Sequence, residues 1–104
     1  MPVQRFRTKI VEIDAMQFDG ENYAELQEWT DDKFFHVVKD DRRDDPECIA
    51  EVFDVLHSTW IGVKKGQWIV RGALGEFYPC DNETFHWKYE EVVPSKFGKI
   101  KVTE

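Results

Sequence analysis

The side chains able to do chemistry in this chain are few and widely spaced. Three histidines, His36, His57 and His86, stand alone, with no HxH, HExxH or HxxE arrangement around any of them. Two cysteines, Cys48 and Cys80, are far apart. Tetrahedral metal sites are built from closely spaced ligand pairs, and none occurs here, so the sequence predicts no metal ligands and no cofactor. Cys80 and His86 lie six residues apart, and a thiol beside an imidazole can ionise into a nucleophile. No third group at recognisable spacing would orient that imidazole. The opposing reading is a packed thiol at a strand end, after Pro79. The sequence therefore assigns no catalytic residues.

Binding chemistry has more to draw on. Gly62, Gly66, Gly72 and Gly75 match neither the dinucleotide nor the P-loop fingerprint and read as turn glycines. Trp60, Trp68 and Trp87 fall in the second half near Lys64, Lys65, Arg71 and Lys88. Such a set can stack a base or clasp a phosphorylated small molecule, or it can simply fill a core. Arg71 precedes Gly72 at a strand end, where a tight turn would expose its planar guanidinium to a phosphate or carboxylate. Glu76 opens the returning strand and is positioned either to line that site or to neutralise Arg71 as a cross-strand ion pair. Tyr78 follows two residues on, on the same face as Glu76, and Trp68 begins the partner strand. The candidate binding residues are thus Arg71, Glu76, Tyr78 and Trp68.

Several elements must position these groups. Lys9 to Phe18 alternates like a half-buried strand, with Val11, Ile13 and Ala15 facing inward and a bulge near Ala15 turning Met16 and Phe18 to the same side. Asp19-Gly20 is a turn. Residues 22–30 read as a helix with Asn22 as its cap, Glu25 completing a capping box, and Tyr23, Leu26 and Trp29 as an apolar stripe. Phe34 to Val38 and Glu51 to His57 are strands, separated by a charged loop from Asp40 to Glu47. That loop reads as solvated and self-neutralising, its acids diluted by Arg42 and Arg43. Lys64 to Gln67 is a turn. Trp68–Arg71 and Glu76–Tyr78 form a hairpin, with Trp68 and Val70 on one face and Ile69 on the other, so both faces must be covered. Asp81 caps a short helix over 82–89 in which Phe85 and Tyr89 align. Residues 90–93 and 99–103 are extended pieces. The sum is an α+β chain: a small, mostly antiparallel sheet, one early helix and a short C-terminal helical segment.

Residues 1–104 are expected to form one domain. Apolar residues make up 41% of the chain and aromatic residues 14%, enough to build a core. The 21 acidic residues against 14 basic give a net charge of -7, which opposes direct binding to nucleic acid or to an anionic membrane. No apolar run follows Met1-Pro2-Val3-Gln4-Arg5-Phe6-Arg7, so no secretory leader is expected, and no run is long enough to span a membrane. Two cysteines fit reduced thiols in a cytoplasm better than a disulfide framework, a single Cys48–Cys80 bridge being the alternative. Edge strands of a small sheet offer pairing surfaces for a homodimer.

The segment Gly66-Gln67-Trp68-Ile69-Val70-Arg71-Gly72, then Gly75-Glu76-Phe77-Tyr78-Pro79-Cys80, then Phe85 and Tyr89-Glu90, resembles a family of small bacteriophage and prophage proteins. These share a C-terminal pattern like G-D-W-I-I-x-G…G-E-x-Y-P-C…F…Y-E-x-V, related to the PGDYG type. Their V-x-A-x-Q-F strand and Trp-ended helix resemble Ile13 to Phe18 and Ala24 to Trp29. Gln67 stands where the pattern has Asp. The resemblance implies a viral origin and a bacterial-cytoplasm setting, and no reaction. The expectation is a noncatalytic phage accessory protein that binds, sequesters or inhibits a host protein or a defence-related small molecule. Two alternatives remain open: a small-molecule or nucleotide-processing enzyme using Glu76, Cys80 and a histidine, and an acidic inhibitor that mimics nucleic acid.

Overall fold

The computed structural model describes residues 2–7, 11–38 and 45–92. Most of the charged loop, the start of the first expected strand and the last expected extended piece lie outside these residues. Six strands and two helices follow in the order β1 (Asp14–Gln17), α1 (Tyr23–Trp29), β2 (Phe34–His36), β3 (Cys48–Asp54), β4 (Thr59–Lys64), β5 (Trp68–Arg71), β6 (Phe77–Cys80) and α2 (Asn82–Lys88). The fold is α+β. Its strands divide between two three-stranded antiparallel sheets, β1-β5-β6 and β2-β3-β4, where the sequence suggested one. No helix among the described residues is long and apolar enough to cross a membrane.

The core forms between the sheets and under α1. Phe18, Leu26, Phe34, Ala50, Val52, Val63, Ile69 and Phe77 are buried together. Strand parity explains the membership. In the second sheet Val52 is paired with Phe34 and Ile61, and Ala50 with His36 and Val63, so one face of each strand turns inward. In the first sheet Met16, Ile69 and Pro79 share the inner face. Phe18 meets Tyr23 and Phe34 edge-on, at centroid distances of 5.1 and 5.3 Å. Trp29, at the end of α1, reaches Phe77 in the same manner at 5.2 Å.

Four expectations are corrected here. β1 starts only at Asp14 and pairs with β5 without a bulge, so Val11 is exposed and the even-numbered Met16 and Phe18 point inward. Asn22 sits at the N-cap of α1 but makes no capping bond. Its amide is drawn into the preceding Asp19 turn instead, donating to the Gln17 carbonyl and accepting from the Asp19 N–H, while Asp19 Oδ1 accepts from the N–H groups of Glu21 and Asn22. Asp81, likewise, precedes α2 without capping it by its side chain, which accepts a bond from Gln67. Finally, the third expected strand is displaced to Cys48–Asp54 and turns at residues 55–58 into β4, which the sequence did not reveal. Asp54 makes that turn: its carboxylate accepts from the Leu56 N–H at 2.9 Å and bonds the His57 ring at 2.7 Å, and Ser58 takes a positive φ of 50°.

The turn between β4 and β5 carries the chain from one sheet to the other. Gly66 has φ +96°, a conformation that disfavours any side chain, and its N–H donates to the Phe18 carbonyl at 2.8 Å. The Phe18 N–H donates back to the Gln67 carbonyl at 2.9 Å. Phe18 thus ties β1 to the crossover by its backbone while its ring fills the core. Phe18→Ala should cost about 3–5 kcal/mol, because a fully buried ring leaves a cavity that its neighbours only partly close. Urea unfolding of both proteins measures the difference, and a loss below about 1 kcal/mol would show that the core does not depend on this ring.

Candidate functional site

The four expected binding residues fall on two sides of the β5–β6 hairpin. Opposed pairs share a face: Val70 with Tyr78 and Ala15, and Trp68 with Cys80 and Gln17. Trp68 and Tyr78 therefore stand on the outer face of the first sheet. Arg71 has the parity of the inner face but lies at the end of β5, opposite Phe77, and is exposed. Glu76 precedes β6 in the connecting loop.

Helix α2 covers the outer face. The Trp68 indole lies parallel to the Phe85 ring, with centroids 4.2 Å apart and planes 4° apart, and His86 meets Trp68 edge-on at 5.8 Å. The indole N–H donates to Asn82 Oδ1 at 2.9 Å. Gln67 acts as a clasp: its Oε1 accepts the Lys64 N–H at 2.8 Å and its Nε2 donates to Asp81 Oδ1 at 2.8 Å. Gln17 Nε2 donates to the Gly66 carbonyl at 3.0 Å and to Asn82 Oδ1 at 3.4 Å. Tyr78 meets Tyr89 hydroxyl to hydroxyl at 3.4 Å, and partial burial followed by this contact pushes its phenol well above the usual range. Trp68 and Tyr78 thereby hold α2 in place, and both faces of the hairpin are covered, as the alternation of Trp68, Ile69 and Val70 requires.

The Arg71 end is different. No ion pair joins Arg71 to Glu76, and among the described residues the guanidinium has no ion-pair partner. The Glu76 carboxylate turns back into its own loop, accepting the Leu74 N–H at 3.0 Å. It crowds against Gly72, where any Cβ would collide with it, so the glycine is required for that conformation. The loop is closed by Gly72 N–H to the Glu76 carbonyl at 2.7 Å, with Gly75 at φ +83°. Asp14 lies opposite on β1 but makes no ion pair with Arg71, so among the described residues Arg71 stands unpaired beside a tight loop.

The other chemistry-bearing groups are dispersed. Cys48 and Cys80 are free thiols on different sheets. Burial raises the Cys80 thiol, and burial with the nearby Asp45 charge raises that of Cys48. Both shifts oppose thiolate formation. His86 packs on Trp68 and Phe85, and His36 meets Tyr23 at 4.8 Å. His57 binds Asp54, whose carboxyl it holds below the usual carboxylate range. His36 pairs with Ala50 while His57 lies beyond Asp54 at the opposite end of β3, so the two are apart. Asp45 accepts the Glu47 N–H and forms an ion pair of 3.2 Å with Lys64, and the two in that order hold its carboxyl below the usual range. Among the described residues no three His, Cys, Asp or Glu side chains gather as a metal site.

The three tryptophans of the second half do not form one cluster. Trp68 is under α2, Trp87 is exposed on α2, and Trp60 lies on the outer face of the other sheet. There it touches Phe53 at 5.2 Å and Phe35 at 5.7 Å. This second aromatic surface was not singled out in the sequence. The signal was present in the strand parity, where Phe35 and Phe53 alternate with the buried Phe34 and Val52.

No protein-family model matches the chain, and no match was found among curated proteins or solved structures.

Two outcomes are expected. Phe85→Ala should accelerate amide hydrogen exchange across Asn82–Lys88 while β3 and β4 keep their protection, because it removes the ring that the helix stacks on Trp68. Equal acceleration in both sheets would mean that α2 supports the whole core. The second concerns pH. A raised thiol releases its proton only above the ordinary cysteine range, so alkylation of Cys48 and Cys80 should be slow at neutral pH and climb beyond about pH 8.5. A rate already at its plateau near pH 7 would restore the reading of Cys80 as a nucleophile.

Proposed function

We propose that this chain is a noncatalytic binding protein, and that it captures an anionic group, phosphate or carboxylate, of a host protein or defence-related small molecule at Arg71. The observation that carries this reading is the unpaired guanidinium. Two carboxylates stand next to it: Glu76 is committed to the Leu74 N–H, and Asp14, opposite Arg71 on β1, makes no ion pair with it, so among the described residues the guanidinium keeps its charge uncompensated. A planar fork without a counter-ion is suited to a bidentate anion. Its placement at a closed, glycine-bearing loop at the end of a paired strand holds it without the entropy cost of a mobile segment.

The enzyme alternative draws less support. Glu76 and the histidines have separate structural partners, and burial shifts the Cys80 thiol away from nucleophilicity. The nucleic-acid mimic rests on the acidic loop, most of which lies outside the described residues. The resemblance to small phage and prophage proteins supports placing this capture in a bacterial cytoplasm, as an accessory function against the host.

Arg71→Ala tests the reading. It should abolish capture of the host target from expressing bacteria, scored by native mass spectrometry of the purified chain, while stability changes by less than about 1 kcal/mol, as expected for an exposed side chain with no ion pair. Retained capture, or a large loss of stability, would remove Arg71 from the site.

A further inference from the structure

The outward face of β2-β3-β4 is aromatic and acidic at once. Trp60 is 43% exposed and Phe35 40%, and both lean on Phe53 or on each other across the strands. Glu51 stands beside them on the same face, opposite Phe35 on β2 and Gly62 on β4. Neither neighbour carries a charge, and Glu51 has no ion-pair partner among the described residues. The Cys48 side chain occupies the space above Gly62, and the nearby Lys64 is already neutralised by Asp45. Lys33, just before β2 with the parity of Phe35, pairs with Asp31, so among the described residues the face presents open aromatic rings around the uncompensated Glu51 carboxylate. Cations that fit such a face are those able to lie flat on a ring while bonding an acid, which describes arginine.

The chain itself carries a segment with that chemistry. Arg5-Phe6-Arg7 is exposed, Phe6 to 84%, and neither arginine has an ion-pair partner among the described residues. It is a local basic and aromatic patch on a protein whose net charge is -7. We propose that this segment of one copy docks on the Phe35–Trp60–Glu51 face of a second copy, with one arginine over Trp60 and bonded to Glu51. Reciprocal exchange between two copies closes a two-fold dimer, since each copy supplies one segment and one face. Direct stacking of the two faces is disfavoured by comparison, because it would bring two Glu51 carboxylates and two acidic chains together without a cation between them. The dimer requires neither Arg71 nor a host partner, so it stands or fails separately from the capture function.

Charge reversal tests it on the full chain. Sedimentation velocity at rising concentration should show a monomer–dimer equilibrium that shifts toward monomer as salt increases. Glu51→Arg and the double variant Arg5→Glu/Arg7→Glu should each be monomeric, with circular dichroism spectra like the parent. Mixed in equal amounts, they should regain the dimer, because the basic segment of the first then meets the acidic face of the second, and the acidic segment of the second meets the new arginine of the first. Glu51→Gln, which keeps the shape and removes the charge, should weaken the parent dimer at least tenfold and serves if the arginine variant does not fold. A parent that stays monomeric at every concentration overturns the proposal. So does a dimer that survives both reversals, which would place the contact on a strand edge or between the faces, and so does a mixture that remains monomeric.

Discussion

The two backbone hydrogen bonds between Phe18 and the Gly66–Gln67 turn hold the architecture together. Each sheet alone is three short strands, too few to bury both faces. The chain passes from one sheet to the other at this turn, and Phe18 grips it from both its N–H and its carbonyl. The Phe18 ring continues the same restraint sideways into Tyr23 on α1 and Phe34 on β2. Backbone geometry at one residue thereby sets the distance between the sheets, and the inner face of each then has a fixed partner to pack against.

Gln67 adds a second connection at the same place. By accepting from Lys64 and donating to Asp81, it joins the end of β4 to the start of α2. An aspartate at this position would have no N–H to offer Asp81 and would meet it as a like charge. The helix is then seated by Phe85 on Trp68, so the outer face of the first sheet is closed. The second sheet has no such cover among the described elements, and its aromatic side remains open. That asymmetry separates the structural aromatics from the accessible ones.

Much of this was legible in local sequence. The hairpin around Gly72 and Gly75, both helices, and the apolar stripe of α1 follow from short-range periodicity and turn chemistry. β4 was hidden because the turn before it, Val55-Leu56-His57-Ser58, has no glycine, proline or asparagine and is made instead by the Asp54 carboxylate. The partition into two sheets was hidden because it is decided by pairings between distant segments, Asp14 with Arg71 above all. Asn22 and Asp81 have the residue type of helix caps, yet the preceding Asp19 turn claimed the side chain of the first and Gln67 that of the second. At the candidate site, the exposure of Arg71 was readable from the glycine that follows it. The diversion of Glu76 was not, since an ion pair across the hairpin and a bond within the loop are equally compatible with its position in the sequence.

The pairing of β1 with β5 also bears on how the molecule assembles in time. β3 and β4 are joined by a four-residue turn and β5 and β6 by a short loop, so both hairpins form by closing small loops. β1 must instead reach β5 across the longest sequence separation of any strand pair in the fold. Non-local pairing of this kind carries a larger loop-closure cost than the two local hairpins do. β1 is then the latch of the domain, the strand that ties the start of the chain onto a hairpin formed locally near its end.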